Sequence, residues 1–208
     1  MTSFKYVLFA SMLLLISCKK GAGTYVIKGE ITDLTFDQGH SDAIVRLYKV
    51  PIGTQEMIPV DSATLESNGS YTFSFLREQI EKYVIYVEKE GYFDIVDDLY
   101  LSSLTLESDN IRNYGTKAKA WIGIQIQNNS PEDSDHFRYI KQEGLEDCSE
   151  CCPNSEQNFY GALDTTIYCI NNGNEVYSLL YWIIGTSNTD LVSKITSPFD
   201  TSYVSIGY

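Results

Sequence analysis

The stretch Ser67-Asn68-Gly69-Ser70 separates two segments, residues 57–65 and 71–76, in which apolar and polar residues alternate. Alternation with a period of two is typical of strands with one buried face. Asn and Gly both tolerate the positive φ angles of a type I′ turn, and such a pair between alternating segments indicates a β-hairpin. The sequence therefore predicts that Asn68-Gly69 connects two paired strands.

The second arm of this predicted hairpin carries two large aromatic side chains, Tyr71 and Phe73. Residues two positions apart in a strand point to the same face of a sheet. The segment at residues 43–50 alternates in the same way and contributes Val45 and Leu47. We expect these four side chains to fill the space between two facing sheets.

Short segments of this kind recur along the chain, with Gly, Pro, Asn, Asp and Ser between them, a spacing typical of all-β sandwiches. Residues 77–82 are the one helical candidate and are too short to matter. From the length of 208 residues we predict an all-β fold with two β-sandwich domains in tandem, residues 24–112 and 113–208. The further predicted strands are residues 25–32, 83–89, 93–101, 117–127, 137–141, 163–170, 175–184, 191–195 and 202–208.

The first half contains four short sequence motifs in a defined order. They are G-E-I-T-D at residues 29–33, A-I-V-R-L-Y at 43–48, N-G-S-Y-T-F at 68–73, and the segment 83–92 that closes with Gly-Tyr. Together they resemble the carboxypeptidase regulatory-like family, whose domain is a transthyretin-like (prealbumin-like) β-sandwich. The resemblance implies this fold for residues 24–112. It implies no active site, because in that family the module accompanies other domains and is not the catalyst.

Residues 1–17 form a weakly basic start and an apolar segment, which is too short to span a bilayer because a helix needs about 20 residues. This pattern predicts a signal peptide. The sequence Leu15-Ile16-Ser17-Cys18 resembles the lipobox of bacterial lipoproteins, which implies cleavage before Cys18 and acylation of its thiol, for example with palmitate. Residues 18–23 would then be a lipidated tether. The alternatives are a general signal peptide with an incidental cysteine, and a short membrane anchor.

The expected location follows from the same resemblance and from the charge. Lys19, instead of Asp, after the lipidated cysteine implies the cell outer membrane, with the periplasmic or surface-exposed side left open. The formal net charge is −13 and the sequence pI is about 4.5. An acidic surface without a basic stripe repels phosphate backbones, so we predict no nucleic-acid partner.

Four cysteines besides Cys18 remain in this exported chain: Cys148, Cys151, Cys152 and Cys169. An even number in an oxidising compartment predicts disulfide bonds. A bond between Cys151 and Cys152 would strain the peptide between them, so one of that pair is expected to bond Cys169 and the other Cys148. A zinc site and free or redox-active thiols are the alternatives, although three thiols in one loop fit a four-thiolate zinc site poorly.

The search for catalytic chemistry yields little. The two histidines, His40 and His136, lie in polar, Asp-rich segments and are not expected to converge. The sequence lacks H-E-x-x-H, G-x-S-x-G and glycine-rich phosphate-binding patterns. Residues 132–135 cluster acidic oxygens that calcium could use, but a solvated acidic loop is the expected interpretation. We therefore predict no catalytic residue, no metal and no cofactor.

Two further kinds of site are weaker expectations. Ser62 and Thr165 lie in Asp-Ser/Thr-apolar triplets that are similar to an O-glycosylation motif of some Gram-negative bacteria. Trp121, or Tyr181 with Trp182, could stack on sugar rings, whereas burial between sheets is the alternative for each.

The sequence as a whole favours a non-catalytic envelope lipoprotein that is a binding or accessory module. Its partner would be an envelope protein or a glycan, in addition to the membrane reached through the lipid. The alternatives are a structural spacer subunit of an outer-membrane complex, and a glycan-acting hydrolase.

Overall fold

The computed structural model describes residues 23–208. The predicted signal segment 1–17 and the predicted lipid site Cys18 lie outside these residues. Within the described part the regular structure is β-strand apart from one short 3-10 turn, Leu101–Ser103, so the predicted all-β fold is confirmed. Residues 23–208 contain no helix that is long and apolar enough to cross a membrane.

The first half of the described chain forms two sheets. Its strands are β1 (Thr24–Asp33), β2 (Gln38–Gly39), β3 (Ile44–Val50), β4 (Ile58–Thr64), β5 (Ser70–Leu76), β6 (Lys82–Glu88), β7 (Ile95–Tyr100), β8 (Asn110–Ile111) and β9 (Tyr114–Thr116). In one sheet β1 pairs antiparallel with β5 and β2, and parallel with β8 and β9. In the other sheet the order is β4-β3-β6-β7, and all its pairs are antiparallel.

The prediction of a β-hairpin at Asn68-Gly69 is wrong. The strands on its two sides do not pair with each other, because β4 pairs with β3 and β5 pairs with β1. The turn begins one residue earlier than predicted, with the Gly69 amide donating to the carbonyl of Glu66 at 2.9 Å. Of the predicted turn pair only Gly69 has a positive φ, of 71°, whereas a type I′ turn needs two. The connection therefore carries the chain from one sheet to the other.

The second half also forms two sheets. Its strands are β10 (Lys119–Gln127), β11 (His136–Glu143), β12 (Gln157–Tyr160), β13 (Asp164–Asn172), β14 (Val176–Ile183), β15 (Thr189–Ile195) and β16 (Thr201–Gly207). The strand order is β13-β10-β16 in one sheet, with β16 parallel to β10, and β12-β11-β14-β15 in the other.

Each half has its own hydrophobic core. The predicted inward direction of Tyr71, Phe73, Val45 and Leu47 is confirmed, because all four are buried in the first core. The buried members of the second core are Ile122, Ile124, Ile126, Phe137, Tyr139, Cys169, Tyr177, Leu179, Ile183, Val204 and Ile206. Because β9 pairs with β1, the first sheet extends past residue 112, where the sequence placed the end of the first domain.

The two halves meet at a short junction between β9 and β10. The Lys119 amide donates to the Gly91 carbonyl at 2.7 Å, and Tyr92 forms an antiparallel bridge with Ala118. The ring of Phe199, from the second half, packs against Tyr92 of the first, with centroids 5.2 Å apart. Backbone pairing and aromatic packing therefore fix the connection.

Candidate functional site

The four cysteines form the two predicted disulfide bonds, Cys148–Cys151 and Cys152–Cys169, each with Cα atoms 5.3 Å apart. The structure resolves the choice that the sequence left open, since it is Cys152 that reaches Cys169. The second bond fastens the loop to β13 in the second core. The zinc and free-thiol alternatives do not hold for these residues, because all four are bonded.

A buried ammonium lies under this loop. Lys141 is only 6% exposed, and its Nζ donates to the carbonyls of Leu145 at 2.7 Å, Cys151 at 3.2 Å and Cys152 at 2.9 Å. Burial lowers the pKa of Lys141, although the acidic side chains of Glu146 and Asp147 act in the opposite direction. Because carbonyl acceptors replace water around the charge, the disulfide loop and Lys141 stabilise one another.

The two histidines do not converge, as predicted, but His40 is buried although it lies in a polar, Asp-rich segment. Its side chain is 1% exposed and its ring packs edge-on against Tyr92, with centroids 4.4 Å apart. Its Nδ1 has no partner within the described residues. His136 instead opens β11, where its ring stacks on Tyr160 at 4.3 Å and its Nε2 lies 2.7 Å from Asn158 Oδ1.

The surroundings of His40 favour a structural role. Burial lowers its pKa, the charge of Lys89 lowers it further, and Asp33 partly offsets both. The neighbouring Tyr92 donates to Asp33, and its pKa is raised by burial and by that hydrogen bond. His40 and Tyr92 are both packed at the junction, where burial disfavours the charged form of each side chain.

Tyr181 and Trp182 do not form one platform, because adjacent strand residues face opposite sides of a sheet. Tyr181 packs against the second core, with its ring stacked on Phe137 at 5.7 Å, as the alternative of burial between sheets predicts. Trp182 lies on the other face, where the guanidinium carbon of Arg138 lies 4.7 Å from its ring centroid. Trp182 is half-buried there.

An exposed aromatic pair lies on the outer face of β13-β10-β16. Tyr168 and Tyr203 are both directly opposite Gly123 of the central strand and are 58% and 47% exposed. A Cβ at Gly123 would lie 2.7 Å from the Tyr203 ring and 3.3 Å from the Tyr168 ring. The two rings therefore lean over the glycine from both sides, with centroids 6.5 Å apart. We call Tyr168, Gly123 and Tyr203 the tyrosine platform; the half-buried Trp121 lies two residues before Gly123 on the same face.

A polar groove of 410 Å³ adjoins the tyrosine platform. Gln125 lies two residues beyond Gly123 on the same face, opposite Thr166 and Ser205. Ser205 Oγ donates to Gln125 Oε1 at 2.6 Å, which leaves the amide nitrogen of Gln125 available. The lining in the described chain contains no Lys or Arg and one acidic residue, Asp164. The face thus combines exposed rings with hydroxyl and amide groups.

The structure locates the predicted modification positions without testing them. Ser62 is exposed on β4, an edge strand, beside Asp61, whose Oδ1 accepts from the Ser62 amide at 2.8 Å. Thr165 is half-buried on β13 and lines the polar groove. Glycosylation at either residue stays a prediction.

The acidic segment 132–135 is organised by its own hydrogen bonds. Asp135 accepts from the Asn128 side chain at 2.8 Å and from the Glu132 amide at 2.9 Å, and these bonds lower its pKa. No group of three or more acidic, histidine or cysteine side chains within residues 23–208 is placed to hold a metal ion. The arrangement is that of a capped surface turn.

Comparisons with known proteins assign no family. No protein family matches the sequence, and no curated protein is similar to it. Similar solved structures include 3-chlorocatechol 1,2-dioxygenase from Rhodococcus opacus 1CP, with 12% identity over 46% of this chain and 60% of that chain and a TM-score of 0.32. The Bacillus anthracis TIE protein has 9% identity over 89% of this chain and 34% of that chain, with a TM-score of 0.33.

The streptococcal ancillary pilin has 10% identity over 88% of this chain and 62% of that chain, with a TM-score of 0.35. This chain spans less than two thirds of the length of each of these three proteins. Similarity at this level assigns neither a family nor a function, so the function has to be argued from the residues of this chain.

Proposed function

We propose that this protein is a lipid-anchored, non-catalytic accessory protein of the cell envelope that binds a neutral glycan on its tyrosine platform. The observation that carries the proposal is the pair of exposed rings of Tyr168 and Tyr203 beside a polar groove. Aromatic faces offer flat apolar area for a sugar ring, while a few placed polar groups hold its hydroxyls. Strands position these groups, so the site needs little ordering on binding.

The proposed anchor and domain organisation follow from the sequence. Cys18 would carry the lipid at the outer membrane, and residues 19–23 would lift the folded part off the bilayer. The two separate cores support two tandem sandwiches. The transthyretin-like type of the first is proposed from the sequence resemblance alone. Because β9 belongs to the first sheet, we place the boundary after Thr116.

The charge around the site favours neutral glycans over acidic ones. In the described chain the groove is lined by Asp164 and by no cation. The pKa of Tyr203 is raised mainly by its hydrogen bond with Tyr168, and the charge of Asp200 adds to this shift. A uronate or a phosphorylated sugar would meet like charge there without a cationic partner. A sugar without charge would meet hydroxyl, amide and aromatic groups, and its own hydroxyls could donate to the one carboxylate, Asp164.

The groove supports binding and not hydrolysis. Glycoside hydrolysis generally uses two carboxyl groups, one on each side of the scissile bond. Asp164 is the one carboxylate in the described lining of the groove, and the remaining polar groups are amides and hydroxyls. Such a set can orient a sugar but lacks the acid and base for cleavage.

A binding experiment tests the proposal. The chain with Cys18→Ser, purified without its leader, would be run through gels that contain neutral or acidic polysaccharides. We expect retardation in a neutral polysaccharide and a loss of affinity of at least about tenfold, or about 1.4 kcal/mol, for Tyr168→Ala and Tyr203→Ala. Tyr160→Ala is the matched control, because Tyr160 is 67% exposed on the other sheet.

The experiment has outcomes that contradict the proposal. Preferred retardation in acidic polysaccharides would contradict the neutral class, and equal effects of all three alanine variants would contradict the platform. If no polysaccharide retards the protein while an envelope protein binds it, the partner is a protein.

A further inference from the structure

The two disulfide bonds have different surroundings. In Cys148–Cys151 the first cysteine is exposed and the second is 1% exposed, and the two are only three positions apart in sequence. In Cys152–Cys169 the separation is 17 residues, Cys169 is fully buried and Cys152 packs against the second core. One bond has an exposed cysteine that a thiol can approach from solvent, whereas the other joins a fully buried cysteine to a half-buried one.

We propose that Cys148–Cys151 is a thiol–disulfide exchange site, and that Cys152–Cys169 is structural. The reaction is attack by the thiolate of a small uncharged dithiol on Cys148 Sγ. The sulfur–sulfur bond breaks, its electron pair leaves on Cys151 Sγ, and a mixed disulfide forms at Cys148. The second thiolate of the dithiol then displaces Cys148 Sγ. The dithiol is oxidised by two electrons to its cyclic disulfide, and the protein is reduced to two thiols.

Lys141 makes Cys151 the better leaving group. Its ammonium is bound 3.2 Å from the Cys151 carbonyl and is buried beneath the loop. A nearby positive charge stabilises a thiolate and lowers the pKa of its thiol, and a leaving thiol of lower pKa departs faster. Exposure of Cys148 and the charge behind Cys151 thus favour the same direction of attack.

The surface around Cys148 selects the attacking thiol by charge. Glu146, Asp147 and Glu150 are exposed within two residues of Cys148. An anionic thiol such as glutathione has to approach this cluster against like charge, whereas dithiothreitol carries no charge before it ionises. We therefore expect uncharged dithiols to react faster.

Exchange has a local structural consequence. Reduction opens the short ring of residues 148–151, while Cys152–Cys169 and the hydrogen bond of 2.8 Å from the Ile170 amide to the Glu150 carbonyl still hold the loop on β13. Leu145 is held separately, because its amide donates to Asn171 Oδ1 at 2.8 Å. Reduction would therefore loosen the loop only around Cys148, without unfolding the second half.

The test is kinetic labelling of the oxidised full-length protein. After timed exposure to dithiothreitol, free thiols are alkylated with N-ethylmaleimide and located by peptide mapping. Cys148 and Cys151 should be labelled at least tenfold faster than Cys152 and Cys169, while the near-ultraviolet circular dichroism stays native. Simultaneous labelling of all four cysteines, or earlier labelling of Cys152 and Cys169, would overturn the proposal.

Two variants test the reasons given for this reactivity. Lys141→Met should slow the reduction of Cys148–Cys151 several-fold, while Lys194→Met, on exposed β15, should not change it. Glu150→Gln should speed reduction by glutathione more than reduction by dithiothreitol. If Lys141→Met does not fold, the order of labelling in the unaltered protein and the Glu150→Gln comparison still decide. An unchanged thiol preference in Glu150→Gln would contradict the role of the acidic cluster.

Discussion

The phenol of Tyr92 donates a hydrogen bond of 2.6 Å to Oδ2 of Asp33, a residue 59 positions earlier that is 2% exposed. The other carboxylate oxygen, Oδ1, accepts from the amide of Thr35 at 2.9 Å. The bond joins the end of β1 to the turn before β7, at the point where Tyr92 also contacts Phe199 of the second half. The pair therefore links the first core to the junction.

Removing this phenol should destabilise the protein. In Tyr92→Phe the Oδ2 atom of buried Asp33 loses its described partner, which costs about 1–3 kcal/mol of unfolding free energy. Tyr86→Phe is the control, because Tyr86 donates at 2.7 Å to Asp94 in an exposed setting and water can replace it. Urea denaturation compares the two. Equal shifts of the two midpoints would contradict a special role for the buried pair.

Stability should depend on pH through His40. Its pKa is lowered from 6.5 in the folded protein, mainly by burial, with a smaller contribution from Lys89, while Asp33 acts against both. Between the lowered pKa and 6.5 the unfolded chain binds the extra proton, so stability rises with pH in this window. It is lost as pH falls from about 6.5, by up to about 1.4 kcal/mol per pH unit.

The measurement is the urea midpoint of unfolding at a series of pH values, from 7 down to the lowest pH at which the protein stays soluble. His40→Gln should remove this part of the pH dependence, whereas His136→Gln, at the start of β11, should keep it. A slope that survives in His40→Gln would assign the effect to other groups.

Gly69 should be more sensitive to substitution than a glycine with the same backbone conformation elsewhere. Its φ is 71°, and an added Cβ would lie 2.2 Å from the Ile31 carbonyl oxygen. Gly53 has a φ of 78° with no atom within 4 Å of such a Cβ. Gly53→Ala should cost about 1–2 kcal/mol for the left-handed conformation. Gly69→Ala should cost more than about 3 kcal/mol, because backbone has to move as well.

Thermal or chemical denaturation of the two alanine variants distinguishes the contributions. Similar losses at both positions would show that the sheet-to-sheet connection can shift to accept a side chain, and that backbone conformation alone determines the cost.

Strand positions could be predicted because alternation is a local signal. The two-residue strands Gln38–Gly39 and Asn110–Ile111 were missed, since so short a segment shows no period. The pairing at Asn68-Gly69 was missed for a different reason. A hairpin requires β5 to pair with β4, whereas a connection between the two sheets requires β5 to pair with β1. Contacts between residues distant in sequence decide which pairing forms.

The sites show the same division between local and distant information. Cysteine count and the short spacing of Cys151 and Cys152 were sufficient to predict two disulfide bonds that separate this pair, but not which of the two bonds Cys169. The tyrosine platform was missed, because Tyr168 and Tyr203 meet only when β13 and β16 flank β10. One signal was present: Gly123 interrupts an apolar strand, and a glycine there often marks a close approach of another group.

The lipid anchor is tested by Cys18→Ser, which removes the thiol that the lipobox resemblance assigns to acylation. In cells grown with a labelled fatty acid, the unaltered protein should incorporate label and fractionate with the outer membrane. The Cys18→Ser variant should incorporate none and keep the apparent mass of the precursor. Labelling that persists in the variant would contradict Cys18 as the attachment site.

The two disulfide bonds should contribute unequally to stability. Cross-linking lowers the entropy of the unfolded chain more when the closed loop is longer. For the separation of 17 residues between Cys152 and Cys169, the entropy model gives about 3 kcal/mol. For the separation of 3 residues between Cys148 and Cys151, it gives roughly 2 kcal/mol.

Packing increases this difference. Cys169 is fully buried in the second core, so its replacement also removes contacts, whereas Cys148 lies in solvent. The paired variants Cys152→Ala/Cys169→Ala and Cys148→Ala/Cys151→Ala, each lacking one bond, make the comparison by urea denaturation under oxidising conditions. The first should lose at least about 1 kcal/mol more than the second. Equal losses would show that both bonds are structural, and a larger loss in the second variant would show that Cys148–Cys151 is the main structural bond. Either result would also argue against its role in exchange.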